Sequence, residues 1–292
     1  MVVSMGDYKG EQAIMNFAYT IAGSEATGGA GFQVDIKTFQ KLGVYGSGAL
    51  TCIVSFDPNN NWGHKLFPVP VDVLRDQLAA ALGAQDIRTA KIGMLGSPAT
   101  IDVVSETLRS QEWDNIVVDP VLICKGQEPG QALDTDTALR EKILPLATVT
   151  TPNNFEARTL SGMESLETVE DLVSAAQKIA ELGPKAVVVK GGIDFPGKDA
   201  VDVLWDGENA YVFRAPKVGN ERVSGAGCTL AAAITAELAK GATVKDAVAV
   251  AKDMVTAGID ARVSAKTPFD TVWQGAYTGQ GNPKVSVEEF RG

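Results

Sequence analysis

Six consecutive residues, Ser224-Gly225-Ala226-Gly227-Cys228-Thr229, join small side chains to a thiol at the threshold of an apolar run, Leu230-Ala231-Ala232-Ala233. Small residues leave backbone N–H groups free to converge on one point, and a helix opening there adds partial positive charge. Such an anion hole suits a phosphoryl group that develops charge as its bond to a leaving phosphate breaks. The same field favours the thiolate of Cys228. The stretch also reads as an ordinary glycine-rich helix start with a buried cysteine. A second loop, Gly23-Ser24-Glu25-Ala26-Thr27-Gly28-Gly29-Ala30-Gly31, has four glycines in nine residues and lets backbone approach a ligand closely. It is not a dinucleotide fingerprint, because Gly29-Ala30-Gly31-Phe32-Gln33-Val34 lacks the third glycine. Nor is it a P-loop, since no Gly-Lys-Ser/Thr follows. A tight strand-to-helix turn is the plain alternative.

The elements that must carry these loops alternate along the chain. Short apolar runs bounded by Gly, Pro, Asp or Asn predict buried strands at Phe17–Ala22, Lys91–Leu95, Ile116–Val118, Thr148–Thr151, Ala186–Val189, Val201–Leu204 and Ala210–Arg214. Between them, helices are expected at Phe32–Leu42, Val71–Leu82, Ala99–Ser110, Val169–Leu182, Cys228–Ala239 and Val244–Ile259. Gly241 is a natural stop for the fifth. Such alternation implies βα units around a mainly parallel central sheet flanked by helices. Asp206-Gly207 breaks the rhythm as a hairpin turn and predicts a short antiparallel edge. Ligands of such α/β sheets bind beyond the carboxyl ends of the strands, where both glycine loops fall.

Composition limits the partners. The 292 residues are 45% hydrophobic and 21% charged, a soluble globular balance. Lys and Arg total 26 against 36 Asp and Glu, and the net charge of −10 argues against broad nucleic-acid binding. Cys52, Cys124 and Cys228 are too few and too far apart for a disulfide framework or a metal finger, so a reducing cytoplasm is expected. The longest apolar stretch, near Ala226 to Ala236, falls short of the roughly 18 residues of a membrane span. The start, MVVSMGDYKGEQ, lacks the pattern of a targeting segment. Residues 1–15 read as a flexible N-terminal segment and 16–292 as a single domain.

Several ordered motifs then point one way. Ile21-Ala22-Gly23-Ser24-Glu25, Gly28-Gly29-Ala30-Gly31-Phe32-Gln33-Val34-Asp35, Val118-Asp119-Pro120-Val121, Thr151-Pro152-Asn153-Asn154-Phe155-Glu156, Val189-Lys190-Gly191-Gly192 and Gly225-Ala226-Gly227-Cys228-Thr229 stand in that order. They resemble the hydroxymethylpyrimidine phosphate kinases and the related cysteine-containing pyridoxal kinases of the ribokinase-like superfamily. The resemblance spans about residues 16 to 260 and implies a ribokinase-like fold, ATP as co-substrate and magnesium. It leaves room for a monovalent cation and implies a homodimer. In the family, the residue after the anion hole, usually Asp, takes the substrate hydroxyl proton; here Cys228 stands there, behind Gly225, Ala226 and Gly227. Glu156 matches the glutamate that organises magnesium and Asp119 the second acid. Lys190 matches the lysine that reaches the nucleotide phosphates, with Asn153, Gly192 and Thr229 beside the nucleotide.

The substrate side carries its own signals. Val121-Leu122-Ile123-Cys124-Lys125-Gly126 resembles the lid of the cysteine-containing pyridoxal kinases. A thiol adds across an aldehyde, sulfur to carbon and proton to oxygen; pyridoxal has an aldehyde, whereas hydroxymethylpyrimidine does not. Phe56 stands where the pyrimidine kinases carry a Gln, exchanging a polar readout for ring packing. Gly23, Glu25, Met94 and Val121 complete the expected substrate pocket, with Glu25 directed at the polar edge of the ring. His64 reads as a surface loop residue, and Ser224 stands where many relatives have His. The expectation is a pyridoxal kinase, with pyridoxine and pyridoxamine as further substrates. The alternative is a hydroxymethylpyrimidine kinase of thiamine synthesis, or both activities.

Overall fold

A computed structural model describes residues 15–122, 129–279 and 284–291. Its strands follow the apolar runs: β1 Phe17–Glu25, β2 Tyr45–Asp57, β3 Gly63–Pro68, β4 Thr89–Ile92, β5 Asn115–Val118, β6 Val149–Thr150, β7 Ala186–Lys190, β8 Asp199–Trp205, β9 Ala210–Pro216 and β10 Ser286–Glu289. The helices are α1 Gly31–Lys41, α2 Val71–Ala84, α3 Pro98–Arg109, α4 Pro129–Lys142, α5 Asn154–Ser161, α6 Val169–Ala180, α7 Ala226–Ala239 and α8 Val244–Asp260. All of these strands form one sheet in the order β10-β9-β8-β7-β6-β5-β4-β1-β2-β3. The six from β7 to β2 run parallel, and antiparallel strands close both flanks.

Alternation along each strand sorts side chains between two helical layers. Ile116 and Val118 of β5, with Val187 and Val189 of β7, face a core completed by Leu74 of α2, Ile101 of α3, Leu139 of α4 and Leu172 of α6. Val117 and Val188 point the other way, onto Leu230 and Ile234 of α7 and Val248 and Met254 of α8. A smaller cluster joins Phe39 of α1 to Ala232 and Ala236 of α7. Helix α7 is therefore wedged between the sheet, α1 and α8. Its small residues let it lie close, and the thiol-bearing first turn is carried on the most buried helix of the fold.

The expected strands and helices are present with shifted ends. The helix expected from Cys228 opens two residues earlier, at Ala226, which makes Cys228 its third residue. Lys240 caps it, and Gly241 follows at φ +88°. The hairpin turns at Asp206-Gly207, where Asp206 Oδ1 accepts from the N–H groups of Glu208 and Asn209 at 2.9 and 2.7 Å. Strands β2, β3 and β10 and helices α4 and α5 are additions to the elements that the residue pattern predicts. β2 hides its character behind glycines, and Gly48 is there because a Cβ would stand 2.3 Å from the Thr20 carbonyl oxygen of β1. β10 is exposed along its whole length and so carries no buried face to read. No helix among the described residues is long and apolar enough to cross a membrane.

Ile234 is fully buried between α7 and the sheet. Ile234→Ala is expected to destabilise the protein by about 2–5 kcal/mol through lost burial and a residual cavity. Urea unfolding should show a lower midpoint with an unchanged slope.

Candidate active site

Strand order reverses between β4 and β1, so connections leave to opposite sides and open a crevice at the carboxyl ends of the strands. Two cavities of about 380 and 370 Å³ occupy it and meet at the turn that opens α7. The first is lined by Asn153, Lys190, Gly192, Ala226 and Gly227, the second by Gly23, Glu25, Phe56, Met94, Val121 and Cys228. Arg222 and Val223 belong to both walls.

The partition between the cavities is made by interlocked turns. Gly225 sits at φ +81°, and a Cβ on it would stand 2.4 Å from the carbonyl oxygen of Gly29. Gly31, at φ +63°, has the Gly23 carbonyl oxygen 2.2 Å from its Cβ position. Neither place admits another residue. Ser224 Oγ donates to the same Gly29 carbonyl at 3.3 Å. Glu25 braces the loop: its carboxylate accepts from the N–H of Thr27 at 2.5 Å, the Thr27 hydroxyl at 2.8 Å and the N–H of Gly29 at 2.9 Å. These bonds occupy both oxygens of a side chain expected at the polar edge of a bound ring, although Glu25 still lines the pocket. The interlock directs two helix N-termini at one sulfur. Cys228 lies in the first turn of α7, and the N–H of Gly31, first residue of α1, donates to its Sγ.

Acids and lysines gather around the partition: Lys190 lines the first cavity, Asp119 the second, and Glu156 neither. Lys190 Nζ, at the end of β7, donates to Asp119 Oδ1 at 3.1 Å and lies 3.2 Å from where a Cβ on Gly227 would stand. Burial works against the Asp119 charge, yet the ammonium groups of Lys190 and Lys91, with hydrogen bonds from Lys190 and Thr151, hold its carboxyl below the ordinary range. Burial likewise works against Lys190, but Asp119 and Glu156 keep its ammonium firmly protonated. Glu156 closes a capping box at the start of α5: its Oε2 accepts from the Asn153 N–H at 2.8 Å, and Asn153 Oδ1 accepts from the Glu156 N–H at 2.9 Å. Burial pushes the Glu156 carboxyl up to about 7; Lys190 pulls the other way, and Asp119 adds to the rise. Among the described residues no three metal-ligating side chains form a cage. Asp119 and Glu156 are close enough to interact electrostatically, and carboxylate oxygens are the kind of donor magnesium takes together with waters and phosphate oxygens.

Cys228 departs from expectation in one respect. Its thiol is pushed up to about 11, because burial outweighs the ammonium of Lys91 and the Gly31 N–H. Two helix N-termini do not by themselves make it a thiolate at neutral pH.

On the other side, Gly23 leaves room for Cys52 Sγ and Met94 Cε, each 2.8 Å from its Cβ position. The Phe56 ring meets His64 edge-on at 4.6 Å and Phe269 at 5.3 Å. His64 is thus a wall of the pocket, because the register of β2 with β3 sets it opposite Phe56. Thr229 turns away: it is buried, accepts from Gln274 Nε2 at 3.0 Å and lines neither cavity. Cys124 lies outside the described residues. Sequence reasoning gave no role to Lys91, Asp35, Arg222 or Phe269. Only Lys91 left a signal, as a charge within the apolar strand Thr89-Ala90-Lys91-Ile92.

Comparisons with known proteins agree with this fold. The family model described as phosphomethylpyrimidine kinase matches residues 25–273. The chain is 48% identical over 245 residues to the pyridoxine kinase of Bacillus subtilis, covering 84% of this chain and 90% of the relative. The structure of the pyridoxal kinase from Staphylococcus aureus in complex with AMP-PCP and pyridoxal superposes with a TM-score of 0.87 at 38% identity, covering 95% of this chain and 100% of the other. The hydroxymethylpyrimidine/phosphomethylpyrimidine kinase of Haemophilus influenzae is 38% identical over 245 residues, 82% of this chain and 89% of its own. With the ordered motifs, the fold and the matched span in agreement, the chain belongs to the phosphomethylpyrimidine kinase family.

Proposed function

We propose that this protein is an ATP-dependent pyridoxal kinase that phosphorylates the hydroxymethyl group of pyridoxal, and also of pyridoxine and pyridoxamine. The observation that carries the reading is the meeting of two cavities at the Gly225–Cys228 turn, one lined by lysine and amides, the other by aromatic rings. The γ-phosphate of ATP is received by the first-turn amides of α7 at Gly225, Ala226 and Gly227, with Lys190 beneath them. Asn153 and Gly192 line the nucleotide side. Asp119 and Glu156 would hold magnesium, which neutralises charge on the phosphates when bound. Cys228 Sγ accepts the proton of the substrate hydroxyl as that oxygen attacks phosphorus and the bond to the β-phosphate oxygen breaks. Gly23, Phe56, Met94 and Val121 pack the pyridine ring, and Cys124 adds to the aldehyde. The free thiols at Cys52 and Cys228 suit a reducing cytoplasm.

The sister activity on hydroxymethylpyrimidine has its own support in the family model and in the Haemophilus relative. Phe56, whose ring joins an aromatic wall, favours pyridoxal. A homodimer fits the β2–β3 flank, where Ile53 and Phe67 are register partners, 47% and 53% exposed, beside exposed Val71 and Val73.

Side-by-side turnover should favour pyridoxal over hydroxymethylpyrimidine and weaken for pyridoxal in Cys124→Ala; a clear pyrimidine preference would overturn the substrate assignment but not the kinase. Cys228→Ala should lower kcat by about 10²–10⁴-fold while nucleotide binding stays near wild type, measured by calorimetry. Because the protonated thiol is inactive as a base, wild-type turnover should rise with pH through the neutral range. Cys228→Asp, ionised far lower, should flatten that limb. Sedimentation should give a dimer that Phe67→Glu dissociates.

A further inference from the structure

Lys91 is a full cation in the middle of the central sheet. It pairs in register with Thr20 of β1, so both side chains leave the sheet on the face covered by α1 and α7. Asp35 of α1 comes down between them: its Oδ2 accepts from Lys91 Nζ at 2.9 Å and from Thr20 Oγ1 at 2.6 Å. All three residues are 0% exposed. Asp35 Oδ1 is buried without a hydrogen-bond partner, a state that folding alone gives no reason to keep. Burying such a pair is at best neutral for stability against apolar residues of similar volume. Gly93 keeps space above the ammonium, since a Cβ there would lie 3.1 Å from Nζ. That space is the floor of the substrate-side cavity, where Lys91 is a wall together with Cys228 and Asp119.

We propose that Lys91, held by Asp35 and Thr20, is a positioning residue for catalysis: its buried positive charge stabilises the thiolate of Cys228, the form that takes the hydroxyl proton. The proposal rests on the kinase reading for its consequence, but the coupling of the two side chains stands apart from it. The charged groups facing Cys228 are Lys91 from β4, Asp35 from α1, Asp119 beyond β5 and Lys190 from β7; Glu25, His64 and Arg222 line the same pocket. Lys190 is committed to Asp119 and Glu156, and to phosphate when nucleotide binds. Asp35 and Asp119 oppose the thiolate, each by less than Lys91 supports it. Lys91 is therefore the cation left to act on the sulfur. The thiol proton leaves to solvent before the cycle. In the transfer step the proton passes from substrate oxygen to Sγ, the oxygen–phosphorus bond forms, and ADP departs with the bonding pair.

The test is the pH dependence of Cys228 alkylation by iodoacetamide, followed by mass spectrometry with Cys52 as internal reference, alongside the pH profile of kcat. In Lys91→Met the alkylation midpoint should move to higher pH by about one to three pH units, the range an opposite charge nearby produces. The kcat limb should move with it, lowering turnover at pH 7.5 about tenfold or more, while the nucleotide KM stays within about twofold. The reason is that a midpoint higher by one pH unit leaves about a tenth of the thiolate. Lys91→Met leaves Asp35 uncompensated, so the double variant Lys91→Met/Asp35→Asn, which removes both charges, keeps the test readable if the single one unfolds. Its midpoint should move in the same direction by less. A folded variant with an unchanged alkylation midpoint would overturn the proposal. A raised midpoint in a protein that transfers no phosphate would keep the coupling and reject the kinase reading.

Discussion

Two carbonyl oxygens, those of Gly23 and Gly29, press against backbone positions where Gly31 and Gly225 would otherwise carry a Cβ, at 2.2 and 2.4 Å. The second of these contacts joins loops nearly two hundred residues apart in sequence, and everything else in the site is arranged around the pair. It sets the start of α1 against the start of α7, so that amides from both helices point at one place. It also makes the wall between the two cavities one turn of backbone thick. A reaction that moves a phosphoryl group from one ligand to another needs such a wall, thin enough to reach across and dry enough to strengthen every charge beside it.

The charges are graded across that wall. Around the partition Asp119 stays ionised, Lys190 stays protonated, and Glu156 is poised close to neutrality. Below the substrate side, Lys91 and Asp35 form a pair sealed from water. Cys228 stands where the two groups meet, with burial, Asp35 and Asp119 holding its proton and Lys91 and the Gly31 N–H pressing it to leave. A carboxylate in its place would start from a far lower ordinary pKa than a thiol. A thiol depends on neighbouring cations, which explains a lysine retained in the centre of an apolar sheet.

The flank is the adaptable part. Strands β2 and β3 bring Phe56 and His64 together over the second cavity, and on the opposite flank β8 and β9 border the first cavity through Ala200, Asp202 and Pro216. Lys91, Asp119 and Lys190 sit in or at the ends of parallel strands in the middle, while antiparallel strands at the edges supply cavity walls.

Much of this was legible from residue order alone. Short continuous apolar runs and helical stripes revealed the βα alternation, because local conformation is written in neighbouring residues; Gly225-Ala226-Gly227-Cys228 suggested an anion hole, and only the resemblance carried by ordered motifs singled out Asn153-Asn154-Phe155-Glu156 and Lys190. Strand β2 was not legible, since its glycines answer to Thr20 and Phe39 on other elements. Thr229 looked like a ligand and proved to be a core residue bonded to Gln274, because the helix turn it occupies is set by packing at the far end of the chain. The ionisation of Cys228 was beyond sequence reasoning: a helix N-terminus is visible in the sequence, but burial is not, and here burial decides the sign. Motif, order and periodicity belong to the sequence by itself. Which side chains meet, and what charge each carries once water is excluded, only the tertiary structure could decide, because both depend on distances between residues that the chain holds far apart.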